Sequence, residues 1–247
     1  MPRITYTCQL EWSQLIAPRT LHLGFKRLDE AVMPFVPGQF ITLHLNSPDK
    51  TKILHRSYSI ANAPGKKEIE IACSYVEGGV ASEFLFNLKP GMQFEASGPY
   101  GLFVLKKEEM PKRYIFVATG TGVSPYRSML DELKTRMTEQ AALEAVVVLG
   151  VRNPQELLFR EELIKAMTHL PNFKFHACYS QEMGEKPLHF ETKGRVQAVF
   201  PALNLNPRSD VVYLCGNPNM IDESFELLTQ QGFDKKNVRR EKYVFSH

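Results

Sequence analysis

The chain has 247 residues, of which 43% are hydrophobic, so it can bury one large core or two ordinary ones. Its 30 Lys and Arg residues barely exceed its 27 Asp and Glu residues, and the excess forms no basic block, which argues against nucleic acid as a partner. No run of about 18 apolar residues occurs, and the first residues do not have the pattern of a secretory signal. We therefore expect a cytoplasmic protein that does not enter a membrane, and we expect a monomer.

The first part of the chain has short extended runs that are split by Pro and Gly. Between Pro37 and Gly101 the runs alternate with turn sequences such as Asn46-Ser47-Pro48-Asp49, which is typical of a small antiparallel β-barrel. One helix should interrupt the strands near Val80–Leu88, where apolar residues recur at helical spacing. We predict that residues 1–108 form this barrel domain.

From Arg113 onward the pattern changes to buried strands that each precede a helix. Tyr114–Ala118 predicts the first such strand, and apolar residues from Tyr126 to Met137 then repeat at helical spacing. The same unit recurs three more times, so we predict that residues 109–247 form an open, mostly parallel α/β sheet. Ligands of such sheets bind beyond the carboxyl ends of the strands, where chemistry should be sought.

The four cysteines are far apart in the sequence. Their spacing matches neither a disulfide framework nor a zinc or iron–sulfur cluster, and we expect each of them except Cys215 to be a small buried residue. The four are Cys8, Cys73, Cys178 and Cys215. No metal site is predicted.

Two loops at strand ends could receive an anion. In Gly120-Thr121-Gly122-Val123-Ser124-Pro125 the glycines would let a pyrophosphate approach, with Ser124 predicted as the helix N-cap and Pro125 as the first helical residue. In Cys215-Gly216-Asn217-Pro218, Asn217 can cap a helix that Pro218 opens. A thiol at Cys215 could touch a flat ring that lies over the sheet edge.

The barrel contains Arg56-Ser57-Tyr58-Ser59. Strand alternation puts Arg56 and Tyr58 on one face and Ser57 and Ser59 on the other. Arg can bind a pyrophosphate with both arms of its guanidinium, Tyr can stack on a ring, and Ser can hydrogen-bond.

Five motifs in this order resemble those of the ferredoxin–NADP reductase superfamily. They are Arg56-Ser57-Tyr58-Ser59, Gly79-Val80-Ala81-Ser82, Gly120–Pro125, Cys215-Gly216-Asn217-Pro218 and Glu241-Lys242-Tyr243. The resemblance covers almost the whole chain. It implies a FAD-binding barrel that is followed by a nicotinamide-nucleotide domain.

The resemblance implies roles for the residues of the barrel. Arg56 would bind the FAD pyrophosphate, Tyr58 would stack on the isoalloxazine, and Ser59 would lie near the flavin nitrogen that receives hydride. The backbone amides of Gly79 and Val80 would also donate hydrogen bonds to the pyrophosphate. Ala81 and Ser82 continue the same run, and the Ser82 hydroxyl would be a further donor. Tyr75 would contact the ribityl or adenine part.

In the second domain the resemblance implies a nicotinamide site. Gly120, Thr121, Gly122 and Pro125 would underlie the nucleotide phosphates, and Cys215 beside Gly216 would touch the nicotinamide as a neutral thiol. Glu241 matches an acidic residue close to the nicotinamide. Tyr243 matches a terminal tyrosine that covers the second flavin face, although the chain continues and Phe245 is an alternative.

The residues after the second α/β strand favour NADPH over NADH. Arginine at this point suits a 2′-phosphate, whereas an acidic residue would accept ribose hydroxyls. Arg152 follows the strand directly. By resemblance, Arg195 and Ser180 would also contact the phosphate, while Gln181 replaces an arginine that is frequent in NADPH-using relatives.

The predicted function is hydride transfer between NADP(H) and FAD, with single electrons passing to or from ferredoxin or flavodoxin. One alternative is an NADH-preferring reductase component of a two-component oxygenase, whose iron–sulfur centre would belong to another protein. A second alternative is a FAD-binding electron-transfer subunit that is inactive alone.

Overall fold

A computed structural model describes residues 5–243, which divide into two compact units. The first unit contains residues 5–105 and 124–129, and the second contains residues 106–123 and 130–243. No helix in the described part of the chain is long and apolar enough to cross a membrane.

The first unit is built on one antiparallel sheet, as the sequence predicted. Its elements are β1 (Thr5–Ala17), β2 (Thr20–Arg27), β3 (Phe40–Asn46), β4 (Ile53–Ser59), β5 (Glu68–Ser74), α1 (Val80–Asn87) and β6 (Gln93–Tyr100). The six strands lie in the order β4-β3-β6-β1-β2-β5, and all of their pairings are antiparallel. Alternate residues of these strands, such as Leu23, Ile41 and Ile71, are fully buried in a common core.

The edge strands of this sheet approach each other. The thiol of Cys73 in β5 donates a hydrogen bond to the Tyr58 hydroxyl in β4 over 3.6 Å. Just beyond β4, the amide of Ala61 donates to the carbonyl of Glu70 in β5 over 2.7 Å. The sheet therefore curls back on itself, which gives the predicted barrel.

The second unit is a parallel sheet of six strands with helical connections. Its elements are β7 (Arg113–Thr119), α2 (Ser124–Glu139), β8 (Glu144–Val151), α3 (Arg160–His169), β9 (Phe173–Tyr179), β10 (Glu191–Lys193), α4 (Phe200–Leu203), β11 (Asp210–Gly216), α5 (Pro218–Gln230) and β12 (Val238–Lys242). The first turns of α2, residues 124–129, belong to the first unit.

The order β10-β9-β8-β7-β11-β12 reverses direction beside β7. The chain moves from β7 to β8 on one side, and β11 later lies on the other side, parallel to β7. Apolar residues on one face of the strands, including Ile115 and Val212, pack with Ile221 of α5. This reversal makes the carboxyl ends of β7 and β11 the expected ligand-binding edge of the sheet.

One local expectation was wrong, because Ser124 is not the N-cap of α2. Residues Gly120–Val123 already form a 3₁₀ helix that continues into α2, so Val123 stands at the cap position with a helical backbone. Ser124 is therefore inside the helix, where its buried Oγ has no hydrogen-bond partner among the described residues. Pro125 follows it and is not the first helical residue.

Candidate active site

The run Arg56–Ser59 lies at the carboxyl end of β4 with the predicted alternation. Tyr58 pairs with Ile41 and Arg56 pairs with Leu43 across β3. Tyr58 is half-buried against the barrel core. Burial raises the pKa of its hydroxyl well above the usual value, so the hydroxyl stays protonated and is a neutral hydrogen-bonding group.

The other residues of the run differ in exposure. Arg56 is half-buried, and its Nη1 donates to the carbonyl of His55 over 3.0 Å. Ser57 is exposed, with its Oγ 3.1 Å from the Oγ1 of Thr42, whereas Ser59 is buried at the end of the strand. A cation and an aromatic ring thus share one face of β4, as the sequence predicted.

The second barrel motif lies at the start of α1. Gly79 occupies the N-cap without a side-chain cap, so the first amides of the helix, at Val80 and Ala81, have no partner from a capping side chain. Ser82 is buried, and its Oγ accepts from the Val76 amide while lying 2.9 Å from the carbonyls of Val76 and Gly79. The Ser82 hydroxyl therefore fastens the loop, and the backbone amides remain as donors for an anion.

Tyr75 lies just before this loop and has neighbours on both sides. Its ring meets Phe86 edge to face with centroids 5.1 Å apart, and the Arg19 guanidinium lies 5.2 Å from the ring centroid. The Tyr75 amide also donates to the Arg19 carbonyl. These contacts hold the Tyr75 side chain beside the loop that precedes α1.

The first unit contains the groups that FAD would require. A pyrophosphate needs a cation and amide donors, which Arg56 and the uncapped start of α1 supply. An isoalloxazine needs a flat apolar surface, which the ring of Tyr58 supplies. The residues of this unit therefore fit a flavin nucleotide by their chemistry.

In the second unit the carboxyl ends of β7 and β11 come very close together. A Cβ on Gly122 would lie 2.4 Å from the carbonyl oxygen of Cys215. Gly216 has a φ of +121°, and a Cβ there would lie 2.6 Å from the Oγ1 of Thr119. Both positions therefore exclude side chains, and this brings the Gly120–Val123 turn against the Cys215 strand end.

Three predicted residues meet at this strand end. Cys215 is completely buried and pairs with Glu241 between the parallel strands β11 and β12. The Tyr243 side chain is hydrogen-bonded to the Cys215 thiol, and the Tyr243 amide donates to the Gly216 carbonyl over 2.8 Å. Phe245, the alternative to Tyr243, lies outside the described residues.

The Cys215 thiol is electrostatically held in its neutral form. Burial is the main cause that raises the pKa of this thiol, and the charge of Glu241 raises it further. The hydrogen bond with Tyr243 lowers the pKa in part, but the pKa still lies well above that of an ordinary thiol. No thiolate nucleophile is expected here. The neutral thiol is instead suited to packing and to polar contacts.

The loop after β7 presents an open surface. A Cβ built on Gly120, which has a φ of +51°, meets nothing within 4 Å. Gly120, Thr121 and Gly122 begin the 3₁₀ turn that leads through Pro125 into α2. The amides at this helical start are suited to a phosphate group.

The residues predicted for a 2′-phosphate follow β8, β9 and β10. Arg152 and Ser180 are both exposed, and the Ser180 amide donates to the Val151 carbonyl over 3.0 Å. The amide of Gln181 donates to the Arg152 carbonyl, so these strand ends are adjacent. Arg195 is also exposed, just beyond β10.

Sequence reasoning missed three residues in this region. Thr119 stands at the start of the Gly-rich run and was given no role, although its Oγ1 accepts the Asn217 amide over 2.9 Å and so joins the two strand ends. Glu156 pairs with Arg152, and Glu223 pairs with Arg195. The opposite charges of Arg152 and Glu156, four residues apart, could have revealed the first pair, whereas no local pattern connects Arg195 with Glu223.

Comparison with known proteins identifies the family. Residues 7–105 match the model of the oxidoreductase FAD-binding domain, and residues 116–224 match that of the oxidoreductase NAD-binding domain. Ferredoxin–NADP reductase B of Sorangium cellulosum (strain So ce56) is 32% identical over 236 residues, which cover 92% of this chain and 93% of that protein. The chain belongs to the ferredoxin–NADP reductase superfamily.

The same superfamily contains longer relatives. The toluate 1,2-dioxygenase electron transfer component of Pseudomonas putida is 27% identical over 232 residues, which cover 94% of this chain but only 65% of that protein. A crystal structure of a ferredoxin NADP⁺ reductase from Neisseria gonorrhoeae with bound FAD and NADP shares the fold, with a TM-score of 0.82 at 20% identity over 96% of this chain and 98% of that one. This member of the superfamily is thus a FAD- and NAD(P)-binding oxidoreductase.

Proposed function

We propose that this reductase transfers hydride between NADP(H) and FAD, and single electrons to or from ferredoxin or flavodoxin. The observation that carries the choice of nucleotide is the exposed Arg152 directly after β8, with Ser180 on the neighbouring strand end. A guanidinium at this position suits a 2′-phosphate. Similarity to ferredoxin–NADP reductase B along 93% of that relative supports the choice of carrier.

The first unit would hold FAD through the residues described above. Arg56 would offset the pyrophosphate charge together with the amides of Gly79 and Val80, and Tyr58 would hold the ring plane. Ser59 would hydrogen-bond the flavin nitrogen that takes up hydride. When bound, FAD supplies the conversion between two-electron and one-electron transfer.

The second unit would bind the nicotinamide nucleotide along the edge of its sheet. The Gly120–Val123 turn would receive the pyrophosphate, and the neutral Cys215 would pack against the nicotinamide. Glu241 and Tyr243 would bound the same strand end, where Glu241 lies opposite Cys215 in the strand register and Tyr243 is hydrogen-bonded to its thiol. The chain would thus contribute binding and orientation rather than covalent chemistry.

A second candidate is an NADH-preferring reductase component of an oxygenase. Two observations favour it, the similarity to the toluate 1,2-dioxygenase component and the pairing of both predicted phosphate-binding arginines with glutamates. In that case Arg152 would contribute little to nucleotide selection.

Steady-state kinetics with both nucleotides separate the two candidates. We expect a higher kcat/KM with NADPH, and reduction of ferredoxin or flavodoxin from the same organism. Arg152→Ala should lower kcat/KM for NADPH about tenfold, which is the effect expected for the loss of a charged hydrogen bond. The same substitution should change kcat/KM for NADH by less than about threefold. A large NADH preference that Arg152→Ala does not alter would overturn the NADPH assignment, and failure to reduce either carrier would overturn the partner.

A further inference from the structure

Glu156 lies where it can control the charge that Arg152 offers to a nucleotide. We infer that Glu156 is a specificity-determining residue that reduces the preference for NADPH by neutralising Arg152 and by offering a carboxylate to the ribose hydroxyls of NADH. This inference rests on the proposed function, because it concerns the same nucleotide site.

The contact between Arg152 and Glu156 is bidentate. Nε of Arg152 lies 3.0 Å from Oε2 of Glu156, and Nη2 lies 2.5 Å from Oε1. The Arg152 amide also lies 3.4 Å from Oε2. Two nitrogens of one guanidinium, Nε and Nη2, are thus directed at one carboxylate, and Arg binds phosphate through paired contacts of the same kind.

The local backbone holds Glu156 in this position. Residues Pro154–Glu156 form a 3₁₀ turn in which the Glu156 amide donates to the Asn153 carbonyl over 3.1 Å. The Glu156 side chain is only 22% exposed, whereas that of Arg152 is 56% exposed. The carboxylate is therefore the better-fixed partner, and the guanidinium is the group that would turn toward a ligand.

The second predicted arginine has the same kind of companion. Nη1 of Arg195 lies 3.3 Å from both carboxylate oxygens of Glu223, and Nε2 of Gln197 lies 3.3 Å from Oε2. The side chain of Arg195 is 73% exposed and that of Glu223 is 48% exposed. This pair is longer and more exposed than the first, so it should restrain its arginine less.

Charge balance explains the effect on nucleotide choice. The two arginines bring two positive charges, which Glu156 and Glu223 cancel, and the neighbouring Gln181 adds none. A 2′-phosphate carries up to about two negative charges and must displace a carboxylate from its arginine. The ribose hydroxyls of NADH require no cation and can donate to a carboxylate.

Binding of two small probes measures this discrimination without turnover. The probes are adenosine 2′,5′-bisphosphate and 5′-AMP, titrated calorimetrically into the FAD-loaded protein and its Glu156→Gln variant. We expect the ratio of their affinities to shift about fivefold toward the bisphosphate, the upper range for an exposed ion pair. The ratio of kcat/KM for NADPH and NADH should move in the same direction, and Glu223→Gln should give a smaller shift.

Glu144→Gln is the matched control. It removes one carboxylate from β8, the strand that precedes Arg152, but at the amino end, about 25 Å from Arg152 along the strand. Glu144 lies 3.9 Å from Lys174 in an exposed pair. Its removal should leave the affinity ratio unchanged, so any shift common to both variants would reflect net charge and would overturn a specific role for Glu156.

The outcomes separate the inference from the proposed function. If the wild-type protein binds both probes and Glu156→Gln leaves their ratio unchanged, the role of Glu156 is wrong while the nucleotide site stands. If the wild-type protein binds neither probe, the proposed nucleotide site is wrong and the inference falls with it. A shift in the double variant Arg152→Ala/Glu156→Gln equal to that in Glu156→Gln would overturn the neutralisation of Arg152, because the effect would not pass through that residue.

Discussion

Cys215 and Tyr243 are joined by a hydrogen bond between their side chains at the carboxyl end of β11. Cys215 lies opposite Glu241 in the register of the parallel strands β11 and β12, and its side chain is fully buried. Burial and the Glu241 charge raise the pKa of Cys215 far enough to keep the thiol neutral, even though Tyr243 opposes the shift. This strand end is therefore built for packing and polarity rather than for nucleophilic attack.

Alkylation of the cysteines tests this neutral state. All four cysteines are free and buried, and burial raises the pKa of Cys8 and Cys178 to about 12 and that of Cys73 to about 11. We expect iodoacetamide at about pH 8 to leave the native protein unlabelled and to label all four residues in urea. Rapid labelling of Cys215 in the native protein, located by mass spectrometry, would contradict the neutral thiol.

Cys215→Ser tests the packing role directly. Serine keeps a small polar side chain, so kcat with NADPH should fall by no more than about tenfold, the range for one altered hydrogen bond. Cys178→Ser, at a buried cysteine with no predicted role in catalysis, serves as the control for general effects of the substitution. A loss of activity by several orders of magnitude in Cys215→Ser alone would indicate covalent catalysis.

A buried charge network joins the start of α2 to the barrel within the first unit. Glu70 Oε2 lies 2.9 Å from His22 Nε2 and 2.5 Å from Arg127 Nη1, and Arg127 also donates to the Ala61 carbonyl. Burial would raise the pKa of Glu70, but the contacts with His22 and Arg127 lower it to about 2. The carboxylate is thus more acidic in the folded protein than in the unfolded chain.

This network predicts a pH-dependent stability. Because the pKa of Glu70 falls on folding, its contribution is present above the ordinary glutamate pKa and is lost as the pH falls from about 5 to about 2. Glu70→Gln should lower the free energy of unfolding by about 3 kcal/mol near neutral pH, and the difference from wild type should shrink toward pH 2. Urea titrations at several pH values measure both effects.

Glu30→Gln is the control for the Glu70 experiment. Glu30 lies in the same unit and forms exposed pairs with Lys26 and Lys67. Exposed pairs contribute little, so the substitution should change the free energy of unfolding by less than about 1 kcal/mol. Equal losses in the two variants would show that burial of the Glu70 network has no special effect.

FAD retention tests the barrel site. Removing the cation and the ring by Arg56→Ala/Tyr58→Ala should release FAD during gel filtration, while circular dichroism reports whether the sheet persists. His55→Ala is the control, since His55 is an exposed neighbour on the same strand whose ring packs on His44. Retention of stoichiometric FAD by the double variant would undo the assignment of this run.

Ionic strength tests the electrostatic contribution to carrier docking. With a formal net charge of +3, the protein should attract an acidic ferredoxin or flavodoxin. Salt at 0.1 M screens the interaction of exposed charges that are more than about 10 Å apart, so it should weaken this attraction. We expect carrier-dependent turnover to fall as salt rises, while reduction of a small neutral dye changes much less. A rate with the carrier that salt does not alter would contradict this docking mode.

The strand and helix pattern was readable because local periodicity matched burial. Tyr114–Ala118 was correctly identified as a buried strand, and Asn217 caps α5 by accepting the amides of Asn219 and Met220, as its position before Pro218 predicted. These features depend on residues that are close in sequence. The same holds for the alternation of Arg56 and Tyr58 in β4.

Features that depend on distant residues could not be predicted. Glu70 is 48 residues from His22 and 57 from Arg127, so no local pattern indicates their contact. Ser124 was assigned as a cap because its type favours that role, but the preceding 3₁₀ turn moved the helix start toward Gly120.

Anaerobic mixing of the FAD-loaded protein with NADPH directly tests hydride transfer to the flavin. We expect the oxidised flavin absorbance to bleach on mixing, and ferredoxin or flavodoxin added afterwards to restore it. A flavin that stays oxidised with both NADPH and NADH would rule out this reductase activity and would favour a FAD-binding subunit that is inactive alone.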